Sequence, residues 1–196
     1  MQRQLFGVFL VLLSVTVVVR AAGSDVADAV MRGDMAAARA LITKGSDVNA
    51  HQGDGATALH WAVYRDSVEA VDMLVRAGAK SSPNREGMTP LAMAALFGNP
   101  QIVDRLVKAG ADAKALGPNG ESMVMFAARN GNPDVIKVLV EAGANVNARE
   151  PVRGTTALMW AVEQRHPEAV AALLKAGADP EARSAGAKIP KKKSSR

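Results

Sequence analysis

The chain has 196 residues, of which 48% are hydrophobic but 4% aromatic, with no cysteine and a formal net charge of +5. That length holds one ordinary domain or a short repeat array. The apolar content is mostly Ala, Val, Leu and Met, which suits small stacked helices, and the lack of cysteine excludes a disulfide framework, a thiolate metal site and a thiol nucleophile. The charge is uneven: Arg3 and Arg20 stand near one end, and Lys188, Lys191, Lys192, Lys193 and Arg196 near the other. Without these seven, 17 Lys and Arg face 19 Asp and Glu, a net of −2 over residues 21–187. So near-neutral a body removes the case for a nucleic-acid partner, which needs basic residues on the folded surface.

Residues 5–19 form an apolar run broken only by Gly7, Ser14 and Thr16, preceded by Arg3 and followed by Ala21, Ala22 and Gly23. Basic, apolar and then small is the order of a secretory signal peptide, expected over residues 1–21 with a cut after Ala21. An uncleaved membrane anchor is the other reading. The run is short of the ~20 residues that span a bilayer as a helix. Export, periplasmic or secreted and of a bacterial type, is the expected localisation.

From there the chain repeats itself. Gly55-Ala56-Thr57-Ala58-Leu59-His60 aligns with segments opening at Gly87, Gly120 and Gly154, at spacings of 32, 33 and 34 residues. A Gly-Ala pair recurs at Gly78, Gly110, Gly143 and Gly177 with the same three spacings. Within each unit a Thr or Ser precedes a first helix and can cap it. Small pairs follow at Ala62-Val63, Ala94-Ala95, Ala127-Ala128 and Ala161-Val162, and Gly98 and Gly131 end the helix. Pro100, Pro133 and Pro167 open a second helix, where Pro is tolerated. Its stripe is Val71-Leu74-Val75, Val103-Leu106-Val107, Ile136-Leu139-Val140 and Val170-Leu173-Leu174. Ser24 to Val30, Gly33, Leu41-Ile42 and the loop Gly45 to Ala50 fit the same frame as a degenerate first unit.

These residues resemble the ankyrin repeat, a helix–turn–helix of about 33 residues with a projecting β-turn loop. Thr89-Pro90-Leu91 and Gly143-Ala144-Asn145-Val146-Asn147-Ala148 carry the resemblance most fully. It implies an all-α solenoid of about five units over residues 22–183, near 22–53, 54–85, 86–118, 119–152 and 153–183. Residues 184–196 are then a disordered basic tail. Asp66 and Arg165 stand where a turn glycine is usual, so looser turns are expected there. Ser122-Met123-Val124-Met125 lacks the usual Pro-Leu-His but keeps the cap.

No phosphate loop, serine elbow, paired-carboxylate signature or metal-ligand spacing appears. The histidines are His51, His60 and His166. His60 occupies the Thr-x-Leu-His position, which the resemblance makes a structural hydrogen-bonding residue. No catalysis, cofactor, metal or small-molecule substrate is expected.

A protein partner is expected instead, on the concave surface of first helices and loop tips. Outside the leading segment the aromatics are Trp61, Tyr64, Phe97, Phe126 and Trp160, all in first helices. Trp61, Phe126 and Trp160 share one repeat position, with Met93 as counterpart, which packing between units also explains. The partner-binding candidates are Trp61, Tyr64, Arg65, Leu96, Phe97, Arg129, Asn130, Glu163 and Gln164 along the first helices, with Met88 and Glu121 at the loop tips. The last helix still carries interior-type Val170, Leu173 and Leu174, whereas a terminal unit needs a polar outer face. Three expectations follow: a fragment of a longer array, a partner over that end, or self-association through it. The membrane enters only through an uncleaved signal.

Overall fold

In a computed structural model, residues 24–185 are described, so the expected signal segment and nearly all of the basic tail lie outside them. Among the described residues ten helices follow one another as five pairs. The first pair is α1 (Asp25–Arg32) and α2 (Met35–Thr43), and the second is α3 (Ala58–Tyr64) and α4 (Val68–Arg76). The third is α5 (Pro90–Phe97) and α6 (Pro100–Lys108), and the fourth α7 (Met123–Asn130) and α8 (Pro133–Glu141). The last is α9 (Ala157–Glu163) and α10 (Pro167–Lys175). None of these helices is long and apolar enough to cross a membrane.

Helices this short are marginal alone and owe their stability to packing. First helices pack on first helices from pair to pair, and α4, α6, α8 and α10 do the same behind them. The small pairs allow it: Ala62, Val63, Ala94, Ala95, Ala127 and Ala128 are all buried. Leu74, Leu106, Leu139 and Leu173 fill the second layer, also buried. Each such leucine contributes roughly 1.5–3 kcal/mol. Side-chain caps start most helices: Thr89 accepts from the Ala92 amide at 3.1 Å, and Asn99 from Gln101 and Ile102 at 2.9 and 3.1 Å.

Eight of the ten helices stop in one recurring way, while α5 and α7 end on a single bond, from Gly98 to Ala94 and from Gly131 to Ala127. At α6 the Ala111 amide returns to the Leu106 carbonyl and the Gly110 amide to Val107, both at 2.9 Å, with Gly110 left-handed at φ 92°. This double bond satisfies orphan carbonyls and needs one left-handed residue. The turns at Asp66 and Arg165 are not looser than the glycine turns. Asp66 (φ 53°) and Arg165 (φ 59°) take the left-handed conformation themselves. The Ser67 amide reaches the Ala62 carbonyl at 3.0 Å, and His166 reaches Ala161 at 2.9 Å. The hydrogen bonds dictate the turn, and the side chain is forced to accept it.

Loops are stitched to their neighbours unevenly. Asn49 donates to the Gly78 carbonyl (3.1 Å) and accepts from the Lys80 amide (2.8 Å). Asn147 does the same with Gly177 and Asp179, at 3.0 and 2.8 Å. The Arg85 amide adds a second tie between the two loops that Asn49 joins, donating to the Asp54 carbonyl (3.0 Å). In the two middle loops Ser82 and Lys114 stand where Asn would, and among the described residues no hydrogen bond joins the loop after α6 to the loop before or after it.

Candidate functional site

The described residues gather no three His, Asp or Glu that could hold a metal ion. The one buried imidazole is engaged in the framework. His60 Nδ1 lies 3.1 Å from the Thr57 amide, which can only donate, so Nδ1 is unprotonated. Nε2 therefore carries the proton and donates to the Met88 carbonyl of the next loop at 3.0 Å. Desolvation holds His60 below the ordinary 6.5, against the opposing pull of the Met88 hydrogen bond and the Asp54 charge. Met125 fills this position in the fourth pair, where its sulfur accepts from the Ser122 amide at 3.4 Å.

The sequence candidates divide sharply in what the fold does with them. Trp61, Tyr64 and Phe97 are brought together. Trp61 and Tyr64 meet edge to face with centroids 5.7 Å apart, and Tyr64 meets Phe97 likewise at 6.3 Å. Tyr64 is 64% exposed and Phe97 47%. They form a row across the second and third pairs. The Trp61 indole N–H donates to Gln52 at 2.6 Å, and Gln52 donates to Asp28 at 2.5 Å, which fixes the row's inner end. Trp160 is likewise tied to Thr155 at 2.9 Å, while Phe126 is buried. Its ring occupies the space above Gly117, where a Cβ would stand 2.5 Å from Phe126 Cζ.

Other candidates are turned inward or spent locally. Leu96 and Phe97, adjacent in sequence, part company: Leu96 is half-buried against the core and Phe97 faces out. Arg65 swings back over the first pair's turn and donates to the Met31 carbonyl at 3.2 Å. Met88 is half-buried against the core. Burial works to raise the Glu121 carboxyl, but donation from the Asn119 side chain and backbone outweighs it and leaves Glu121 lowered. Arg129, Asn130, Glu163 and Gln164 are exposed and do not join the aromatic row. Asn130 lies over the Gly98 turn, and the Arg129 carbonyl faces His166 Nε2 at 3.2 Å.

Two features escaped the sequence reading. Glu150 is buried and accepts from the amides of Val152 (2.6 Å), Arg153 (2.9 Å) and Thr155 (3.0 Å) and from the Thr155 hydroxyl (2.8 Å). These bonds, the Thr155 amide foremost, push its carboxyl from 4.5 down to about 2. The 34-residue spacing was the available signal, since a loop one residue longer needs a longer acceptor than Asn84 provides in the second loop. The second feature is Asp66, which shares a cleft of about 700 Å³ with Tyr64 and Phe97.

Stacked helix pairs with a concave first-helix face and projecting loops define the helical-repeat interaction modules. Within that class, the family model described as Ankyrin repeats (3 copies) matches residues 26–116 and 93–184. The chain belongs to the ankyrin-repeat family. Ankyrin repeats are generic protein–protein interaction modules and their proteins are generally non-catalytic scaffolds. No curated protein matches the chain.

Proposed function

We propose that this protein is a non-catalytic scaffold, exported to the periplasm or secreted, that binds a protein partner through its concave first-helix and loop-tip surface. The observation that carries the reading is the exposed row of Tyr64 and Phe97 braced by Trp61. Aromatic rings bury a large area at low entropic cost and dominate interface energetics. Neither ring is needed to fill the core, so their exposure is best explained by what they contact. Export rests on the residue order of the leading segment, and no nucleic acid or small-molecule substrate is part of the reading.

The test is affinity capture from a native envelope fraction with wild type and with Tyr64→Ala/Phe97→Ala. A specific partner is retained by wild type and lost by the variant at unchanged helicity. Equal capture by both removes the row from the interface.

A second reading, self-association through the last repeat, has its own support. Val162 is 59% exposed, whereas Val63, Ala95 and Ala128 at the same repeat position are at most 1% exposed. Mass measured against concentration separates the readings, since a monomer at high concentration excludes self-association, and Val162→Glu abolishes it if present.

A further inference from the structure

Resting on the concave-surface reading, we infer that the aromatic row recognises a basic, lysine- or arginine-rich segment of a partner protein, taking its cations in two clefts on either side of Tyr64. On one side, Trp61 and Tyr64 wall a cleft of about 290 Å³ with Asp54, Asn84 and Met93. On the other, Tyr64 and Phe97 wall the larger cleft with Asp66 and Asn99. Each cleft thus pairs two aromatic walls with one carboxylate, and neither lining holds a Lys or Arg.

The carboxylates have acceptor capacity to spare. Asp54 Oδ1 accepts from the Ala56 amide at 2.9 Å, and Asp66 Oδ1 from Asn99 at 2.6 Å. Their second oxygens make no hydrogen bond among the described residues. No ion pair engages either carboxylate among the described residues: Arg65 donates to the Met31 carbonyl, and the Arg85 stem lies against Gly55 at the loop tip. His60, which lines the smaller cleft, is held neutral with its proton on the Met88 side.

The charge complementarity is therefore one-sided: an ammonium or guanidinium gains the face of an aromatic ring and a carboxylate together. An acidic segment meets the two carboxylates, and a purely apolar one leaves them unpaired as it covers them. Edge-to-face packing keeps Tyr64 nearly perpendicular to both neighbours, at 84° to Trp61 and 68° to Phe97. Each cleft so offers a ring face and a ring edge.

The experiment is fluorescence-anisotropy titration of the full chain at physiological salt with labelled peptides of equal length. One carries lysines spaced by Gly-Ser, and the others substitute arginine, glutamate, or leucine and phenylalanine. The basic peptides bind more tightly than the other two. Tyr64→Ala weakens them about two- to fivefold, the scale of an exposed cation–π contact. Tyr64→Phe, which keeps the ring and the fold, leaves them unchanged. Asp54→Asn/Asp66→Asn weakens them at least as much as Tyr64→Ala, while Glu141→Gln/Glu168→Gln on the second helices does not.

Basic peptides binding no better than the others overturn the inference, as does equal weakening by the second-helix control, which signals general electrostatics. Binding of the apolar peptide alone, lost in Tyr64→Ala/Phe97→Ala, overturns the basic partner and keeps the concave-surface reading. Partner capture insensitive to Tyr64 and Phe97 removes both. Self-association abolished by Asp54→Asn/Asp66→Asn assigns the clefts to the basic end of a second copy and overturns a separate partner.

Discussion

Arg165 sits at φ 59° because the turn between α9 and α10 demands a left-handed residue there, and its Cβ then crowds the adjoining backbone. That conformation costs an L-residue roughly 1–2 kcal/mol. Arg165→Gly removes the cost but gives the unfolded chain more freedom, an opposing effect of about 0.5–1 kcal/mol. Arg165 is exposed and its side chain makes no hydrogen bond or ion pair among the described residues, so nothing else is lost. The expected gain is about 0.5–1 kcal/mol, on the order of 1–4 °C in Tm for a chain of this size. Arg165→Ala keeps the strain and leaves stability near wild type. Asp66→Gly relieves similar strain but forfeits the hydrogen bond from Asn99, worth about 1 kcal/mol, so it gains nothing. Urea unfolding ranks the variants, and hydrogen exchange at α9 and α10 amides reads the last pair directly, since terminal repeats open first. A glycine at 165 no more stable than the alanine would refute the argument that strain resides in this turn.

Two predictions concern pH and one concerns packing. His60 has its folded-state value below the ordinary 6.5, so its contribution is complete above pH 6.5 and declines as pH falls below it. NMR of the imidazole nitrogens should show a neutral, Nε2-protonated ring persisting below pH 6.5; a ring titrating at or above 6.5 contradicts the assignment. Glu150, lowered from 4.5 to about 2, contributes fully above pH 4.5 and is lost as pH falls towards 2. Thermal melts of Glu150→Gln should therefore lie below wild type at pH 7 and converge with it near pH 2, and a constant gap across that range sinks the idea. Gly117→Ala forces the new Cβ into the Phe126 ring and should cost about 1–3 kcal/mol in urea unfolding. In a Phe126→Leu background the same change should cost distinctly less, and equal costs would place the strain elsewhere.

The period was legible because glycine, threonine and the small pairs each have one physical task per unit, repeated at nearly constant spacing. The family match over residues 26–184 and the five helix pairs follow that frame. Site detail was less legible, since it depends on which way each side chain turns and which hydrogen bonds close around it. Leu96 and Phe97 differ by a single helical step of 100°, enough to turn one towards the core and the other outward. Glu121 reads as a free loop charge until its loop closes on Asn119. At Asp66 and Arg165 a missing glycine reads as a loosened turn, yet the flanking amides still reach their carbonyls. Sequence carries the local preference, while the bonds that override it are formed by residues on the neighbouring helix.

The loop-to-loop hydrogen bonds among the described residues fall at the two ends of the array and spare its middle. Asn49 and the Arg85 amide tie the loop after α2 to the loop after α4, and Asn147 ties the loop after α8 to the chain after α10. The loop after α6 has Lys114 in the bridging position, and apolar packing of α5 on α7 and α6 on α8, with the Asn132 side chain donating to the Gly98 carbonyl at 2.8 Å, holds this part of the array. The loop after α6 therefore takes its position from the helices it joins rather than from hydrogen bonds to its neighbouring loops.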